Sequence, residues 1–544
     1  MKRRDNESRP LSYKLENTDR KLVQLLAERS RLLVRMAKER KHKDKSMVDA
    51  EEEKHLWSLW RQGVEEHGLN ERLLRRIFNM INGLAYEQAE RRDDWVMPLH
   101  PRQGPVDIDL PGPVDTLATR LWLIAGAALN QEVSIPGVVL NDDIIELIKA
   151  CNQAGAHMSW DQDGVSSGAV SPQFDHTSVF VGQDAINLYL LLCLAISSPA
   201  VCRFNGGARL KSESLGFTSS LLAAFGARQV SMVPGSEGLP IRLEASGQIP
   251  DRFQIPDGAP RELIVAILLL APAWAREKGV FRIGMPSEPK HSQWATATKI
   301  FPLWSAMGVL WEQQGQELIL TGSELTLPGQ PKMDLDPFLA GYVLAMPGAH
   351  GGRACLHGTI AQKGLEWDAF QAMSHQAGLE LEVMADRVQS RCDQIQDNTL
   401  QVDCSLVPEF FPLALALAVA AKGESVISVD SGQDMDFAVH VISALGMESE
   451  QRTARELKVR PVRGRQQEGL AVTAPNAFWC LGLALMALTG ADVSIKNPGV
   501  LTSLWPQFWS LYKELPRPRA NVVSRAGKQE EEDDAPKRRR RIIK

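Results

Sequence analysis

The 544-residue sequence lacks the features that mark several large classes of protein. Its 7 cysteines include no CxxC pair and lie mostly in apolar runs, which argues against a disulfide framework and favours buried thiols in a reducing compartment. Lys and Arg number 61 against 66 Asp and Glu, so a net charge of −5 provides no basic excess for coating nucleic acid or a membrane. Secreted, disulfide-stapled and strongly basic classes are therefore disfavoured.

Long apolar runs are missing too. The apolar stretches at 186–196 and 410–421 are too short to span a bilayer, and the charged start, Met1-Lys-Arg-Arg-Asp5, has no apolar core of a signal peptide. We therefore expect a cytoplasmic protein. What is present is an ordinary globular composition, 44% hydrophobic and 23% charged, whose length suggests three or four domains.

The first 94 residues form a charged segment with helical periodicity. They contain 22 Lys and Arg and 18 Asp and Glu, and no proline lies between Pro10 and Pro98. Leucines recur at helical spacing, which predicts one long helix followed by two shorter ones. Three helices of this length cannot bury their apolar stripes alone, so we expect a homodimer through these helices. A coiled-coil dimerisation arm without further function is the alternative interpretation.

Beyond a linker rich in Pro and Gly, one pattern of helices and strands repeats. In each copy an amphipathic helix ends at a glycine, which accepts the left-handed conformation that stops a helix, and a strand follows. The repeats are about 70 to 80 residues long, which indicates one supersecondary unit used five or six times. Each unit also has an entirely apolar helix, which we expect at the centre of the fold. The helix-ending glycines are Gly155, Gly226, Gly308, Gly378 and Gly446.

The first repeat resembles a known family. Leu110-Pro-Gly112 precedes an apolar helix, and Asp142-Asp143 precedes the helix that ends at Gly155. This order is similar to that of the enolpyruvyl transferases, above all the 5-enolpyruvylshikimate-3-phosphate synthase family, and the resemblance extends over residues 105–515. It implies an α+β fold in which six βαβαββ units build two inside-out domains. It also implies a reaction that joins shikimate 3-phosphate to phosphoenolpyruvate.

Most cationic positions of that family are replaced. Its Ser-Lys-Ser becomes Pro113-Val-Asp115, and its phosphate loop becomes Gly182-Gln-Asp-Ala-Ile-Asn-Leu-Tyr189, which lacks the Thr and the Arg. Arg120, one residue out of register, corresponds to the motif's arginine and is a candidate substrate-binding residue. Losing several charge-assisted contacts at roughly 1.5–3 kcal/mol each would remove nearly all binding of phosphoenolpyruvate.

Two acids remain as transferase-like candidates. Asp336 begins a repeat helix where the family has an Asp, and Glu409 takes the place of the family's proton-shuttling Asp. The resemblance implies a catalytic role for both. Alternatively, each is an acid in the first turn of a helix, where it interacts favourably with the helix dipole.

The head resembles the all-helical chorismate mutases through the run from Asp19 to Arg29. The resemblance implies that Arg29 binds a substrate carboxylate, that Arg40 replaces the lysine at the ether oxygen, and that Asp49 and Glu53 contact the hydroxyl. The rearrangement needs only positioning and electrostatics, so these residues are candidates for a slow catalyst. Alternatively, Arg29 and Glu53 are ordinary solvated or salt-bridged helix residues.

Other parts of the mutase pattern are absent. Ser12 stands where the partner subunit's arginine is expected, with Lys14 nearby as a substitute. Glu52 replaces another arginine, and Ala89 replaces the glutamine of the third helix. Half of the constellation is therefore present.

Together these observations predict five segments and a pathway. They are residues 1–95, a chorismate-mutase-like helical domain; 96–111, a linker and first strand; 112–332 and 333–515, the two halves of the transferase-like body; and 516–544, a disordered charged tail.

We expect a shikimate-pathway protein of the 3-phosphoshikimate 1-carboxyvinyltransferase family whose lost cations argue against transferase activity. The alternatives are a pseudoenzyme that regulates or scaffolds the pathway, and a protein whose only activity is that of a slow chorismate mutase. Its ligand would be chorismate. If the transferase-like body binds ligands as well, these would be shikimate 3-phosphate and phosphoenolpyruvate. No metal, cofactor, nucleic acid or membrane is expected.

Overall fold

The structure is a computed structural model that describes most of the chain. It covers residues 11–41, 50–68, 70, 71, 74, 75, 77, 78, 81, 82 and 96–518, apart from 103, 162–163, 234–236, 287–298, 363, 394–397 and 461–468. Asp49 and residues 519–544 of the expected tail lie outside the described residues, whereas Pro516, at the predicted start of that tail, accepts a hydrogen bond from the Asp107 amide at 2.8 Å.

The head is helical, as its periodicity predicts. Helix α1 spans Leu11–Lys41 and α2 spans Ala50–His67, and the described residues between 71 and 82 are helical as well. Phe78 is fully buried, and Leu33 of α1 and Val64 of α2 are buried as well. Along α1, in contrast, leucines such as Leu22 and Leu25 remain more than half exposed in the single chain.

The described strands of the body form six sheets, three in each half. In the first half the strand orders are β3-β5-β4, β6-β7-β9-β8 and β10-β11-β13-β12; in the second they are β15-β16-β14-β2, β17-β18-β20-β19 and β1-β22-β21. The strands are β1 (Met97–Leu99), β2 (Val106–Pro111), β3 (Val133–Pro136), β4 (Met158–Trp160), β5 (Gly164–Ser167), β6 (Ser178–Phe180), β7 (Pro199–Asn205), β8 (Ala227–Ser231), β9 (Ile241–Ser246), β10 (Arg252–Gln254), β11 (Val280–Gly284), β12 (Leu310–Gln314), β13 (Glu317–Thr321), β14 (Gly352–His357), β15 (Glu380–Val383), β16 (Arg387–Cys392), β17 (Gln401–Asp403), β18 (Ser425–Ser428), β19 (Glu448–Thr453), β20 (Glu456–Arg460), β21 (Leu470–Val472) and β22 (Val493–Ile495).

The helices of the body alternate with these strands. They are α3 (Thr116–Leu129), α4 (Asp142–Gln153), α5 (Ala185–Ala195), α6 (Ala208–Ser212), α7 (Thr218–Ala224), α8 (Arg261–Lys278), α9 (Ile300–Met307), α10 (Pro337–Leu344), α11 (Met346–His350), α12 (Leu365–Gln376), α13 (Phe411–Ala420), α14 (Gly432–Ala444), α15 (Ala477–Leu488) and α16 (Phe508–Lys513), with 3-10 turns at Pro408–Phe410 and Pro498–Ser503.

The apolar helices lie at the centre, as predicted. Every residue from 186 to 195 of α5 is buried, and the interiors of α13 and α15 are equally enclosed. Parallel strands need a crossover connection, and here the apolar helices provide it: α5 joins β6 to β7, α8 joins β10 to β11, α13 joins β17 to β18, and α15 joins β21 to β22. This arrangement confirms the predicted α+β fold of repeated units.

Two cores and two chain crossings define the halves. One core contains residues from Leu121 to Leu327 except Val139, and the other combines Val139 and Met97 to Leu110 with residues from Leu335 to Leu515. The crossing segments pair with each other, since Val114 and Leu335 form an isolated bridge. The boundaries predicted from the sequence, 112–332 and 333–515, remain a proposal.

Local features agree with the sequence. The five helix-ending glycines have φ between 59° and 85°, the left-handed region that was expected for them. All 7 cysteines are free and buried. Among the described residues, no helix is both long and apolar enough to cross a membrane.

Candidate active sites of the body and the head

Three helices of the body begin at aspartates where the two halves meet. Asp115 caps α3 by accepting a hydrogen bond from the Ala118 amide at 2.8 Å, and Asp184 caps α5. Asp336 caps α10 through the amides of residues 338 and 339, at 3.0 and 3.1 Å. A helix N-terminus favours a negative charge, and in these three helices the chain supplies that charge itself.

The candidate Arg120 is buried and paired. Its guanidinium forms an ion pair with the carboxylate of Asp184 and donates to the side-chain carbonyl of Asn187 at 3.2 Å. Burial alone would raise the pKa of Asp184, but Arg120 and its hydrogen bonds lower that pKa below its ordinary value. Asp184 is therefore ionised and occupies the position on Arg120 that a substrate anion would need.

A second cation joins the two halves. Lys299, just before α9 in the first half, lies 2.7 Å from a carboxylate oxygen of Glu366 on α12 in the second half. Burial alone would lower the pKa of Lys299, but Asp115, Glu366 and Asp336 raise it above its ordinary value. The ammonium therefore stays charged and is shared among carboxylates of both halves.

A third cation lies beside the candidate Glu409. Arg261 at the start of α8 pairs with Glu262 at 2.9 Å and lies 3.9 Å from the Glu409 carboxylate of the second half. The buried Tyr342 donates its hydroxyl to the Glu409 backbone carbonyl at 2.9 Å, which fixes the backbone at this residue. The side chain of Glu409 thus faces an arginine of the other half.

These three cations belong to one charge network, which we call the junction. Asp184 acts electrostatically on both Arg120 and Arg261, and Asp115 acts on both Arg120 and Lys299. The structure therefore brings the predicted candidates into one region. The junction comprises Asp115, Arg120, Asp184, Arg261, Lys299, Asp336, Glu366 and Glu409.

The loop that resembles the family's phosphate loop is also occupied by the chain. The Gln183 amide donates to the carboxylate of Glu146 at 3.1 Å, and the Gln183 side chain accepts from the Arg209 amide at 3.2 Å. The Glu146 carboxylate contacts the loop so closely at Gly182 that it leaves no room for a Cβ atom there. A carboxylate of α4 takes the place where an anionic ligand would meet the loop amide.

Two acids, Asp143 beside the junction and Asp336 within it, have pKa values raised toward neutrality. Burial, opposed by Arg120 and reinforced by neighbouring carboxylates, raises the pKa of Asp143 to about 7. Burial together with Asp115 raises the pKa of Asp336 to about 6. Both acids can hold a proton near neutral pH, although Arg120 beside Asp143 and Lys299 beside Asp336 favour the ionised forms.

In the head, Arg29 is held by side chains that the sequence did not single out. Its guanidinium donates to the Asn82 side chain at 2.8 Å and lies 5.2 and 5.0 Å from the ring centres of Trp60 and Phe78. Cation–π contacts at this distance stabilise a guanidinium that is partly removed from water. Arg29 is thus fixed in an aromatic setting rather than extended along the helix surface.

The other head candidates are not brought together in the described part of one chain. Lys14 lies fifteen residues before Arg29 on α1, about 22 Å along the helix axis. Arg40 lies near the end of α1 and Glu53 lies in α2, but their side chains, like the whole of Asp49, are outside the described residues. Contact between Lys14 and Arg29 would require a second copy.

The sequence missed the carboxylates that neutralise the cations. Glu366 and Lys299 belong to no motif, so their contact had no sequence signal. One signal was present: the loop that starts at Gly182 has Asp184 where the resembled loop has alanine. An acid at this place agrees with the ion pair between Asp184 and Arg120.

Known proteins resemble both parts. The family described as chorismate mutase type II matches residues 11–89. The 3-phosphoshikimate 1-carboxyvinyltransferase of Dinoroseobacter shibae is 24% identical over 462 residues, which cover 78% of this chain and 97% of the relative. The enzyme of the same name from Aliivibrio fischeri is 22% identical over 432 residues, which cover 75% of this chain and 96% of the relative.

Solved structures show the same fold for the body. EPSP synthase from Acinetobacter baumannii has a TM-score of 0.63 at 14% identity, covering 76% of this chain and 97% of that one. The enolpyruvyl transferase NikO from Streptomyces tendae has a TM-score of 0.60 at 15% identity, covering 77% and 97%. The chain is therefore a fusion of a head that matches the type II chorismate mutases and a body with the EPSP synthase fold and carboxyvinyltransferase relatives.

Proposed function

We propose that this chain is a cytoplasmic shikimate-pathway protein whose transferase-like body does not transfer an enolpyruvyl group. The observation that supports this most directly is the Arg120–Asp184 pair, in which the retained motif arginine is buried against an acid of the same chain. Lys299 and Arg261 are paired with carboxylates in the same way. The body then serves the pathway by regulation or scaffolding.

Both substrates of the transferase reaction are anions that need the cations of the junction. Shikimate 3-phosphate and phosphoenolpyruvate would have to displace Asp184 from Arg120 and Glu366 from Lys299. Each displacement leaves a partly buried carboxylate without its cation, at a cost of about 3–5 kcal/mol. The carboxylates that cap α3, α5 and α10 add repulsion at the helix N-termini. The junction therefore disfavours both substrates.

Growth rescue tests this proposal. A strain without 3-phosphoshikimate 1-carboxyvinyltransferase is supplied with this chain, and the matched control receives the Aliivibrio fischeri relative. We expect rescue by the relative alone. Growth on minimal medium with this chain, confirmed as expressed by immunoblot, would overturn the proposal.

As a second candidate function, we propose that the head slowly rearranges chorismate to prephenate as a homodimer. The match to the type II chorismate mutases over residues 11–89 and the placement of Arg29 support it. Arg29 would bind a carboxylate, with Arg40, Asp49 and Glu53 around the ether oxygen and hydroxyl. Lys14 of the second copy would supply the cation that Ser12 lacks.

The assay is the loss of chorismate absorbance with the full chain. Arg29→Ala should lower kcat/KM roughly 10- to 100-fold, the effect of one charge-assisted contact. Arg31→Ala, an exposed arginine of the same helix, is the matched control and should leave the rate unchanged. No turnover, or equal rates for the wild type and both variants, would make the head a dimerisation arm.

A further inference from the structure

A histidine, a cysteine and an aspartate meet on the outer face of one sheet in the second half. Strands β2 and β14 run parallel there, and Cys355 lies directly opposite Asp109 in their register. His357 is two residues beyond Cys355, so its side chain lies on the same face of β14. Asp109 and His357 are 248 positions apart in the chain, which is why the sequence shows no ligand spacing.

The three side chains are close enough to share one ion. One ligand atom from each lies within 4.8 Å of the other two, and a ring nitrogen of His357 is 2.6 Å from a carboxylate oxygen of Asp109. The Cys355 thiol is buried, whereas the side chains of His357 and Asp109 are 48% and 57% exposed. The thiol forms the floor of a shallow site that opens to solvent.

The donor set selects the kind of ion. A thiolate, an imidazole and a carboxylate are the ligands of borderline divalent metals, whereas Mg²⁺ and Ca²⁺ take oxygen ligands. Tetrahedral Zn²⁺ has ligand bonds of about 2.0–2.3 Å, so these side chains need only small movements on a rigid pair of strands. We propose that Asp109, Cys355 and His357 bind Zn²⁺ and leave a fourth position open to water.

The neighbouring charges are compatible with a cation. Arg353, also on β14, is paired with Asp107 at 2.7 Å. Arg387 lies opposite His357 on β16 and donates to the Met384 sulfur at 3.0 Å, while Asp386 next to it has the opposite charge. Binding replaces the hydrogen bond between His357 and Asp109 by two bonds to the metal, and the proton on the His357 Nε2 atom moves to Nδ1 in a neutral ring or to solvent from a charged one. The proton of the Cys355 thiol passes to solvent.

The site lies close to the point where the chain leaves the second half of the body. Strand β2 ends at Pro111, and the Gly112 amide donates to the backbone carbonyl of His357 at 2.9 Å. Gly112 leads directly into the crossing to the first half. The ion would therefore clamp β2 to β14 immediately before the chain leaves the second half.

The test titrates the metal-stripped full chain with Zn²⁺ by calorimetry and with Co²⁺ by absorption spectroscopy. We expect one ion per chain, and for Co²⁺ a sulfur-to-metal charge-transfer band with the intense visible bands of a tetrahedral ion. Cys355→Ser, His357→Ala and Asp109→Asn should each weaken Zn²⁺ binding by at least about 100-fold, since even outer-shell partners typically account for about 10- to 100-fold.

Matched controls remove the same groups elsewhere. Cys392→Ser alters a thiol on the buried face of β16, and His176→Ala removes an exposed histidine. Both should bind like the wild type. His357→Ala and Asp109→Asn change exposed side chains, so circular dichroism should show a folded chain. An unchanged affinity in Cys355→Ser, a Co²⁺ spectrum without the thiolate band, or binding only at millimolar Zn²⁺ would overturn the proposal.

Discussion

At the scale of single residues, each cation of the junction is paired with a carboxylate of the chain itself. Arg120 retains the guanidinium that the enolpyruvyl-transferase resemblance predicts, yet that group faces Asp184 rather than solvent. An acid buried beside this cation makes it part of an internal ion pair. Identity of a motif residue is therefore a weak guide to its chemistry unless its partners are known.

Asp184→Asn tests whether the pair is structural. It leaves the buried Arg120 without its main counter-charge, and since Asp184 is a quarter exposed we expect a loss near the lower end of about 3–5 kcal/mol. Urea unfolding followed by tryptophan fluorescence measures it. Glu244→Gln, which breaks the pairs of Glu244 with the exposed Arg228 and Arg242, is the control and should cost no more than about 1 kcal/mol. Equal losses would show that Arg120 gains nothing from Asp184.

Asp143 should make stability depend on pH. Its pKa is about 7 in the folded chain against an ordinary 3.8, so between these values the folded state binds more protons than the unfolded one. Stability therefore falls as pH rises through this range, by on the order of a few kcal/mol. Asp143→Asn removes the ionisation, so its Tm relative to the wild type should be higher at about pH 8 than at about pH 5. The same Tm difference at both pH values would contradict the assignment.

At the scale of elements, the apolar helices and the glycines that end the amphipathic ones followed directly from the sequence. An all-apolar helix avoids water on every side only in the interior of the fold, and a glycine with positive φ ends a helix wherever it occurs. These rules are local, and they correctly predicted that apolar helices such as α5 and α13 lie at the centre. Long-range contacts are not local: nothing in the sequence near Lys299 indicates that it meets Glu366.

Helix α1 provides a test of the proposed homodimer. Leu22 and Leu25 are 53% and 63% exposed in one chain, which is unfavourable unless another surface covers them. Changing both to lysine should convert a dimer to a monomer in size-exclusion chromatography with light scattering. Gln24→Lys, an exposed polar position on the same helix, is the control and should remain dimeric. A wild-type monomer, or a dimer that persists in the double variant, would contradict the proposal.

At the scale of the whole molecule, ion pairs between the chain's own residues join the two halves. Lys299–Glu366 and Arg261–Glu409 each connect a residue of the first half with one of the second. The repeated architecture was predictable because the helix-ending glycines recur at similar intervals along the sequence. The state of the junction was not, because it depends on residues from both halves meeting in space.

The double variant Lys299→Met and Arg261→Met should loosen this connection. With both cations removed, the carboxylates of the junction repel one another, and we expect a larger radius of gyration in small-angle X-ray scattering. Lys278→Met, which removes an exposed lysine paired within the first half, is the control and should leave the radius unchanged. An identical radius in the double variant would show that other contacts hold the halves together.

The most direct test of the central claim is phosphate release from phosphoenolpyruvate and shikimate 3-phosphate by the full chain. Because the cations of the junction are already neutralised by the chain's own carboxylates, we predict no rate above that of the protein-free mixture. A rate that saturates with both substrates and disappears in Arg120→Ala would contradict the account, since it would show that Arg120 leaves Asp184 to bind substrate.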